Sequence, residues 1–308
     1  IEWSARNPVL VILLTLAAVV AGWWAAQRVP LDALPDLSET QVIIVSRWDR
    51  SPDTMEDQVT YPIVTAMLGA PKVKDVRGVS DFGASYVYVV FEEGTDLYWA
   101  RSRALEYLSK ALPHIPSEVK PELGPDATGL GWVFQYAVTD TTGKHNLAEL
   151  RSLQDWYLRY HLQAVPGVAE VASLGGFVRQ YQINLDPVRL QAFHVPVAKV
   201  IAAVRAGNRD VGGRILELGG REYMVRGRGY AKTVADLSGI AVATSPEGLP
   251  IRVGDVGSVV LGPDLRRGAA DLDGGGEAVC GIVVMRDGQN ALAVIERVKQ
   301  KLKEIEPT

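Results

Sequence analysis

Two stretches of this chain repeat each other, and the second copy is interrupted. The first copy runs strand, helix, then Ala70-Pro71-Lys72-Val73-Lys74-Asp75-Val76. The second runs strand, helix, then Val165-Pro166-Gly167-Val168-Ala169-Glu170-Val171. A strand ending Val89-Val90-Phe91-Glu92-Glu93-Gly94-Thr95-Asp96 then leads into another helix of the first copy. Its counterpart, Val283-Val284-Met285-Arg286-Asp287-Gly288-Gln289-Asn290, comes only near the C-terminus. A duplicated βαβ–βα unit, its second copy split by an insertion, predicts an α+β architecture of ferredoxin-like units. The second copy lacks the strand that would close its sheet, so the chain is expected to continue beyond Thr308 and to leave an exposed sheet edge here.

Pro8 to Ala26 is apolar apart from Thr15 and carries no charge. A bilayer core of ~30 Å needs ~20 helical residues, so this run predicts a membrane-spanning helix. Trp23 and Trp24 fall where an aromatic belt would lie, and Arg6 favours a cytoplasmic N-terminus. A signal-peptide apolar region is shorter, about 7–15 residues, so a retained helix is expected. Everything beyond Leu31 then forms one extracytoplasmic block.

The expected organisation follows: 1–30 the membrane helix, 38–125 the first unit, 130–176 with 276–308 the discontinuous second unit, and 177–275 the insertion. Gln41 to Trp48 reads as a strand and Ser51-Pro52 as a capped helix start, with Pro62 kinking or breaking that helix. Thr95 or Asp96 caps the next helix. Glu122 to Gly129 is a turn-rich boundary, and its short turns read as the hinge joining the two units. Asn146 with Glu149 forms a capping box. Asn208 to Gly229, glycine-rich, charged and poor in apolar residues, reads as an exposed arm. Gly274-Gly275-Gly276 reads as an exit hinge.

The net charge of −4 argues against a nucleic-acid binder. The one cysteine, Cys280, excludes an internal disulfide and reads as a small buried hydrophobe. No catalytic motif, Walker loop or zinc-protease motif is present, so no enzymatic activity, catalytic residue or cofactor is expected. The four histidines have no metal spacing, so no metal site is expected. Of the four methionines, Met55, Met67 and Met285 read as core, and Met224 is the least constrained.

Several stretches in combination resemble the heavy-metal efflux branch of the resistance–nodulation–division transporters. They are Pro30-Leu31-Asp32-Ala33-Leu34-Pro35-Asp36-Leu37, Gln58-Val59-Thr60-Tyr61-Pro62, Gly94-Thr95-Asp96-Leu97-Tyr98-Trp99-Ala100-Arg101, Gly124-Pro125-Asp126-Ala127-Thr128-Gly129-Leu130-Gly131-Trp132 and Leu150-Arg151-Ser152-Leu153-Gln154-Asp155-Trp156. Within the branch they are most similar to the copper/silver exporters, with zinc, cobalt or cadmium as other cargoes. The resemblance implies two porter subdomains and an inserted docking subdomain, part of a proton-driven pump in the bacterial inner membrane with its bulk in the periplasm. It implies a homotrimer held in membrane lipid that meets a periplasmic adaptor (membrane fusion) protein and an outer-membrane channel. It points to Leu265, Gln135 and Met224 along the substrate path, and to Arg209, Arg214 and Arg221 in intersubunit docking. At Leu265 the copper/silver branch carries a methionine, and leucine cannot ligate a metal. A different reading remains open from the residues alone: a single-pass, membrane-anchored periplasmic binding or sensor protein. Hydrophobic drugs are a further cargo class, but five Phe are few for a broad aromatic pocket.

Overall fold

The computed structural model describes Glu2 and residues 6–26, 38–140, 142–266 and 268–305, without the side chain of Arg214. The proline-rich stretch Pro30–Leu37, Arg28 and Arg267 lie outside the described residues.

Pro8–Ala26 forms a single 19-residue helix (α1) with no buried residue. Its apolar side chains point outward all round, including Trp23 and Trp24. A core helix would hide them, so α1 is suited by length and composition to lipid.

The first repeat contains β1 (Gln41–Arg47), a long helix α2, β2 (Val73–Asp81), β3 (Ala84–Phe91), α3 (Leu97–Ala111) and β4 (Glu122–Leu123). Its sheet order is β2-β3-β1-β4 with antiparallel neighbours, the ferredoxin-like order. Alternate residues Val87, Val89 and Phe91 are buried and meet Val42 and Ile44 of β1 in one core. Helix α3 adds Ala100, Ala104 and Leu108 to that core. Asp96 caps α3, its carboxylate accepting the Trp99 N–H at 2.8 Å.

Helix α2 is built from Pro52–Met55, a π-helical turn Glu56–Thr60 and Tyr61–Leu68. Its buried residues Met55, Val59, Ile63 and Met67 recur every fourth position. On a regular α-helix, positions four apart drift by about 40° each. The wider π turn removes part of that drift and keeps the stripe on the sheet. It also explains why Pro62 does not break the helix as expected. Tyr61 N–H bonds to Glu56 O, five residues back, so the loosened turn absorbs the proline ring. Ser51 supplies no side-chain cap to the backbone; its hydroxyl meets that of Thr54 at 3.0 Å.

The second repeat opens with β5 (Trp132–Val138). Its helix α4 comprises Leu147–Leu153, a π turn Gln154–Leu158 and Arg159–Gln163, and β6 (Val168–Gly175) follows. Asn146 and Glu149 form the capping box, each side chain accepting the other's backbone N–H. The insertion then supplies β7 (Arg179–Leu185), α5 (Pro187–Ala192), α6 (Val197–Gly207), β8 (Val211–Leu218), β9 (Arg221–Gly227), α7 (Val234–Ser238), β10 (Ala241–Thr244), β11 (Pro250–Arg252), α8 (Val253–Val256), β12 (Gly257–Pro263) and β13 (Ala270–Asp271). The chain returns as β14 (Glu277–Met285) and α9 (Ala291–Ile305). β14 pairs with both β5 and β6, so residues far apart in sequence close one sheet. Among the described residues β5 has no strand on its other side.

The two repeats match in detail. Lys72 takes a positive φ of 61°, and Gly167 takes 93° at the matching place. The Lys72 carbonyl accepts the Glu92 N–H at 2.9 Å, and the Gly167 carbonyl accepts the Arg286 N–H at 2.9 Å. Asn290 caps α9 through the Ala293 N–H at 2.9 Å, as Asp96 caps α3.

Contacts divide the chain into two compact units. One holds Ile1–Val138, Leu153–Leu174 and Cys280–Thr308; the other holds Thr139–Ser152 and Gly175–Val279. The second has its own core, in which Val195, Val200, Leu237, Val253 and Val256 are buried. Gly274-Gly275-Gly276 is a turn between β13 and β14 rather than a hinge. The Asp271 carboxylate accepts the N–H groups of Gly274 and Gly276, which fixes it. The linker between repeats, whose short turns are the expected hinge, makes specific bonds. Gly124 bonds to Ile43 and Arg101, and the Asp126 carboxylate accepts the Tyr98 hydroxyl at 3.0 Å and faces Arg286 at 3.5 Å.

Each repeat buries a polar chain: hydroxyls of Thr60, Ser80 and Ser85 in the first, and an amide with a phenol and a hydroxyl in the second. Gln154 is wholly buried where the first repeat has Val59. The Tyr136 hydroxyl donates to Gln154 Oε1 at 2.8 Å, and Gln154 Nε2 donates to Ser173 Oγ at 3.3 Å. Burial pushes the Tyr136 phenol up to about 12, so it stays protonated and donating. Gly281 of β14 leaves room for that ring, since a Cβ there would fall 2.2 Å from Tyr136 Cζ. Gln154→Ala strands the Tyr136 hydroxyl and is expected to cost about 1–3 kcal/mol in urea unfolding. The double variant Tyr136→Phe/Gln154→Leu, which removes both polar partners, should lose less than the two single losses combined.

Candidate functional site

β8 and β9 form a two-stranded ribbon joined by Gly219 and Gly220, both at positive φ (61° and 74°). The double glycine is the chemistry a tight hairpin turn requires. Every residue of β9 is exposed. The ribbon is not poor in apolar residues, as its composition suggested. Ile215, Leu216, Leu218, Tyr223, Met224 and Val225 are all exposed, and Met224 is 81% exposed. An isolated hairpin is marginally stable in water, and an apolar patch of this kind marks a surface that docks.

The base of the ribbon is fastened by polar groups. Asp210 accepts from Arg226 Nη2 at 2.5 Å and from the Gly229 N–H at 3.0 Å. These bonds, Arg226 first, hold the Asp210 carboxyl below its ordinary value. Asn208 Oδ1 accepts the Ala231 N–H at 2.8 Å. Arg209 is exposed at the base and Arg221 at the tip, where it pairs with Leu218. Arg214 lies on β8.

Leu265 sits in the loop after β12 and is 65% exposed. The loop is set by backbone and side-chain bonds. The Asp264 N–H reaches Val178 O, and the Leu265 N–H reaches its neighbour's carboxylate. Arg266 pairs with Glu277 at 2.8 Å and lies over the Phe177 ring. Leu265, in the loop after β12, and Met224, on the β8–β9 ribbon, belong to one unit, and Gln135 is exposed on β5 of the other.

The soft ligands are dispersed. Met55 and Met67 are wholly buried in the first core, and Met285 packs against the second. Cys280 is half-buried rather than buried. On β14, Val279, Gly281 and Val283 face inward, so the two-residue period turns Cys280 to the less covered side. Among the described residues no three His, Cys, Asp or Glu side chains converge as a cation site.

A lipid-length helix, a duplicated ferredoxin-like unit with its second copy split, and an exposed apolar ribbon make up this chain. The same arrangement occurs in a solved structure described as a heavy metal efflux pump (crystal form II). Its TM-score is 0.87 at 29% identity, covering 98% of this chain and 30% of that one. The family model "AcrB/AcrD/AcrF family" matches residues 1–308, and the chain belongs to that family. It is 50% identical to the cation efflux system protein CusA of Escherichia coli (strain K12) over 98% of this chain. It is 48% identical to the putative cation efflux system protein SilA of Salmonella typhimurium, also over 98% of this chain. The cobalt-zinc-cadmium resistance protein CzcA of Cupriavidus metallidurans is 35% identical over the full chain. The chain spans 29% of the length of the first two and 30% of the third.

Tight soft-metal sites need two or three converging thioether, thiolate or imidazole groups. The burial of Met55 and Met67 in packing positions, with Met285 half-buried in another core, therefore predicts that this chain alone binds Cu(I) weakly. A submicromolar affinity in competition titration would reveal a site formed by residues assigned here to packing.

Proposed function

We propose that this chain is the N-terminal membrane helix with the porter and docking subdomains of a proton-driven heavy-metal efflux pump. The supporting observation is similarity along essentially the whole chain to cation efflux proteins, on a fold whose repeats share their turn bond and helix cap. The greater identity to CusA and SilA than to CzcA favours copper or silver as cargo. In this reading α1 lies in the bacterial inner membrane and the remainder in the periplasm. The chain performs no catalysis and needs no cofactor. It works by swinging rigid porter units between states open to different sides.

The docking reading rests on the ribbon. Its apolar surface needs cover, and a homotrimer supplies a neighbouring protomer to provide it. An adaptor and an outer-membrane channel complete the route. Arg209, Arg214 and Arg221 are the charged candidates for these contacts, and Leu265, Gln135 and Met224 are candidates for the path.

Excising Val211–Gly227 should leave the rest of the fold intact, because Asp210 and Gly229 already touch at the ribbon's base. Native mass measurement of the intact protein should then show fewer trimers; an unchanged trimer population counts against docking by this arm. Acidification should act in the same direction. The Asp210 contribution is complete above the ordinary carboxylate pKa and is lost as pH falls through the depressed folded value. Asp210→Asn should speed hydrogen exchange at the ribbon's base at neutral pH and remove that pH dependence.

Leu265→Met should be tolerated, since the two side chains have similar volumes. For copper or silver cargo, export by the intact protein should stay the same or rise. Lower export would show that the leucine itself serves the path.

A further inference from the structure

The two repeats differ along their second helices. The caps Asp96 and Asn290 align α3 with α9, which places Arg103 opposite Arg297. Both arginines bury Nε without a hydrogen-bond partner. In the first repeat the surrounding space is filled. The Trp99 ring lies 5.9 Å from the Arg103 guanidinium and 5.0 Å from the Lys72 amine. Tyr107 packs over Gly69, and Glu106 pairs with Arg103 Nη1 at 2.5 Å.

Each of those groups is replaced in the second repeat. Trp99 becomes Ala293, Lys72 becomes Gly167, Tyr107 becomes Lys301 and Glu106 becomes Gln300. Beside Gln300 and Lys301, the counterparts of Glu106 and Tyr107, lies a cavity of about 270 Å³, lined by Arg297, His161, Val165, Pro166, Gln300, Lys301 and the Glu304 carboxylate. Lys301 is held by Glu304 at 2.9 Å. Arg297 makes no ion pair among the described residues, because a neutral amide stands where its sister has a carboxylate. A guanidinium that has lost its internal counter-ion, at the edge of a partly apolar cavity, is suited to bidentate capture of a carboxylate from outside.

We propose that this cavity binds a small free carboxylate with an apolar body, its carboxylate on Arg297 and its body against Val165 and Pro166. The cavity's modest size fits such a ligand better than a drug-sized one. The site lies within one compact unit and is independent of the transport reading.

The test is thermal unfolding of the full chain in detergent with butyrate, and with butyramide as the neutral isostere. Butyrate at about tenfold excess over Kd should raise the midpoint by about 3 °C, and butyramide should not. Arg297→Gln should weaken the response at least about tenfold in concentration. Gln300→Glu, which restores the sister repeat's ion pair, should abolish it while keeping the fold. No shift with butyrate, an equal shift with butyramide, or a Gln300→Glu variant that responds as the parent does would each overturn the proposal.

Discussion

The return of β14 between β5 and β6 is the pairing on which the second repeat depends. Without it, β5 and β6 would be separate edges and α4 would have no complete sheet to cover. Forming it requires the chain to close a loop of about a hundred residues. The entropic penalty of loop closure grows only slowly with length, so a large insertion is compatible with it. The insertion meets the rest of its burden by carrying its own core around Val253 and Val256.

The duplication was legible because its punctuation is rigid. A proline followed by a positive-φ residue, and a glycine followed two residues later by a helix cap, leave little freedom in sequence. They recur as Pro71-Lys72 and Pro166-Gly167, and as Gly94…Asp96 and Gly288…Asn290. The π turns were not foreseen, although a signal existed. Met55, Val59, Ile63 and Met67 keep a strict spacing of four, which a regular helix cannot hold on one face. Pro62 drew attention to a break, while the spacing pointed to a local widening.

Candidate sites were less legible, for a different physical reason. Gln154 and Tyr136 gain meaning only when α4 packs on the sheet, and nothing in their local sequence marks them as partners. The ribbon's glycines and charges stood out in composition, whereas its exposed apolar residues are ordinary β-formers until the structure shows nothing beneath them. Nothing in its local sequence sets Arg297 apart from the lysines of its helix. Its setting emerges only by comparison with Arg103, whose neighbours fill the equivalent space.

The functional reading joins three physical requirements: a lipid-length helix, paired rigid units and an arm that needs cover. The proposal of metal transport itself rests on the similarity to cation efflux proteins. The most direct measurement is metal flux by the intact protein in sealed proteoliposomes under an imposed proton gradient. A proton-driven copper or silver pump moves Cu(I) or Ag(I) only while the gradient lasts and stops when a protonophore is added. Metal movement indifferent to the gradient, or none for any of copper, silver, zinc, cobalt and cadmium, would contradict it.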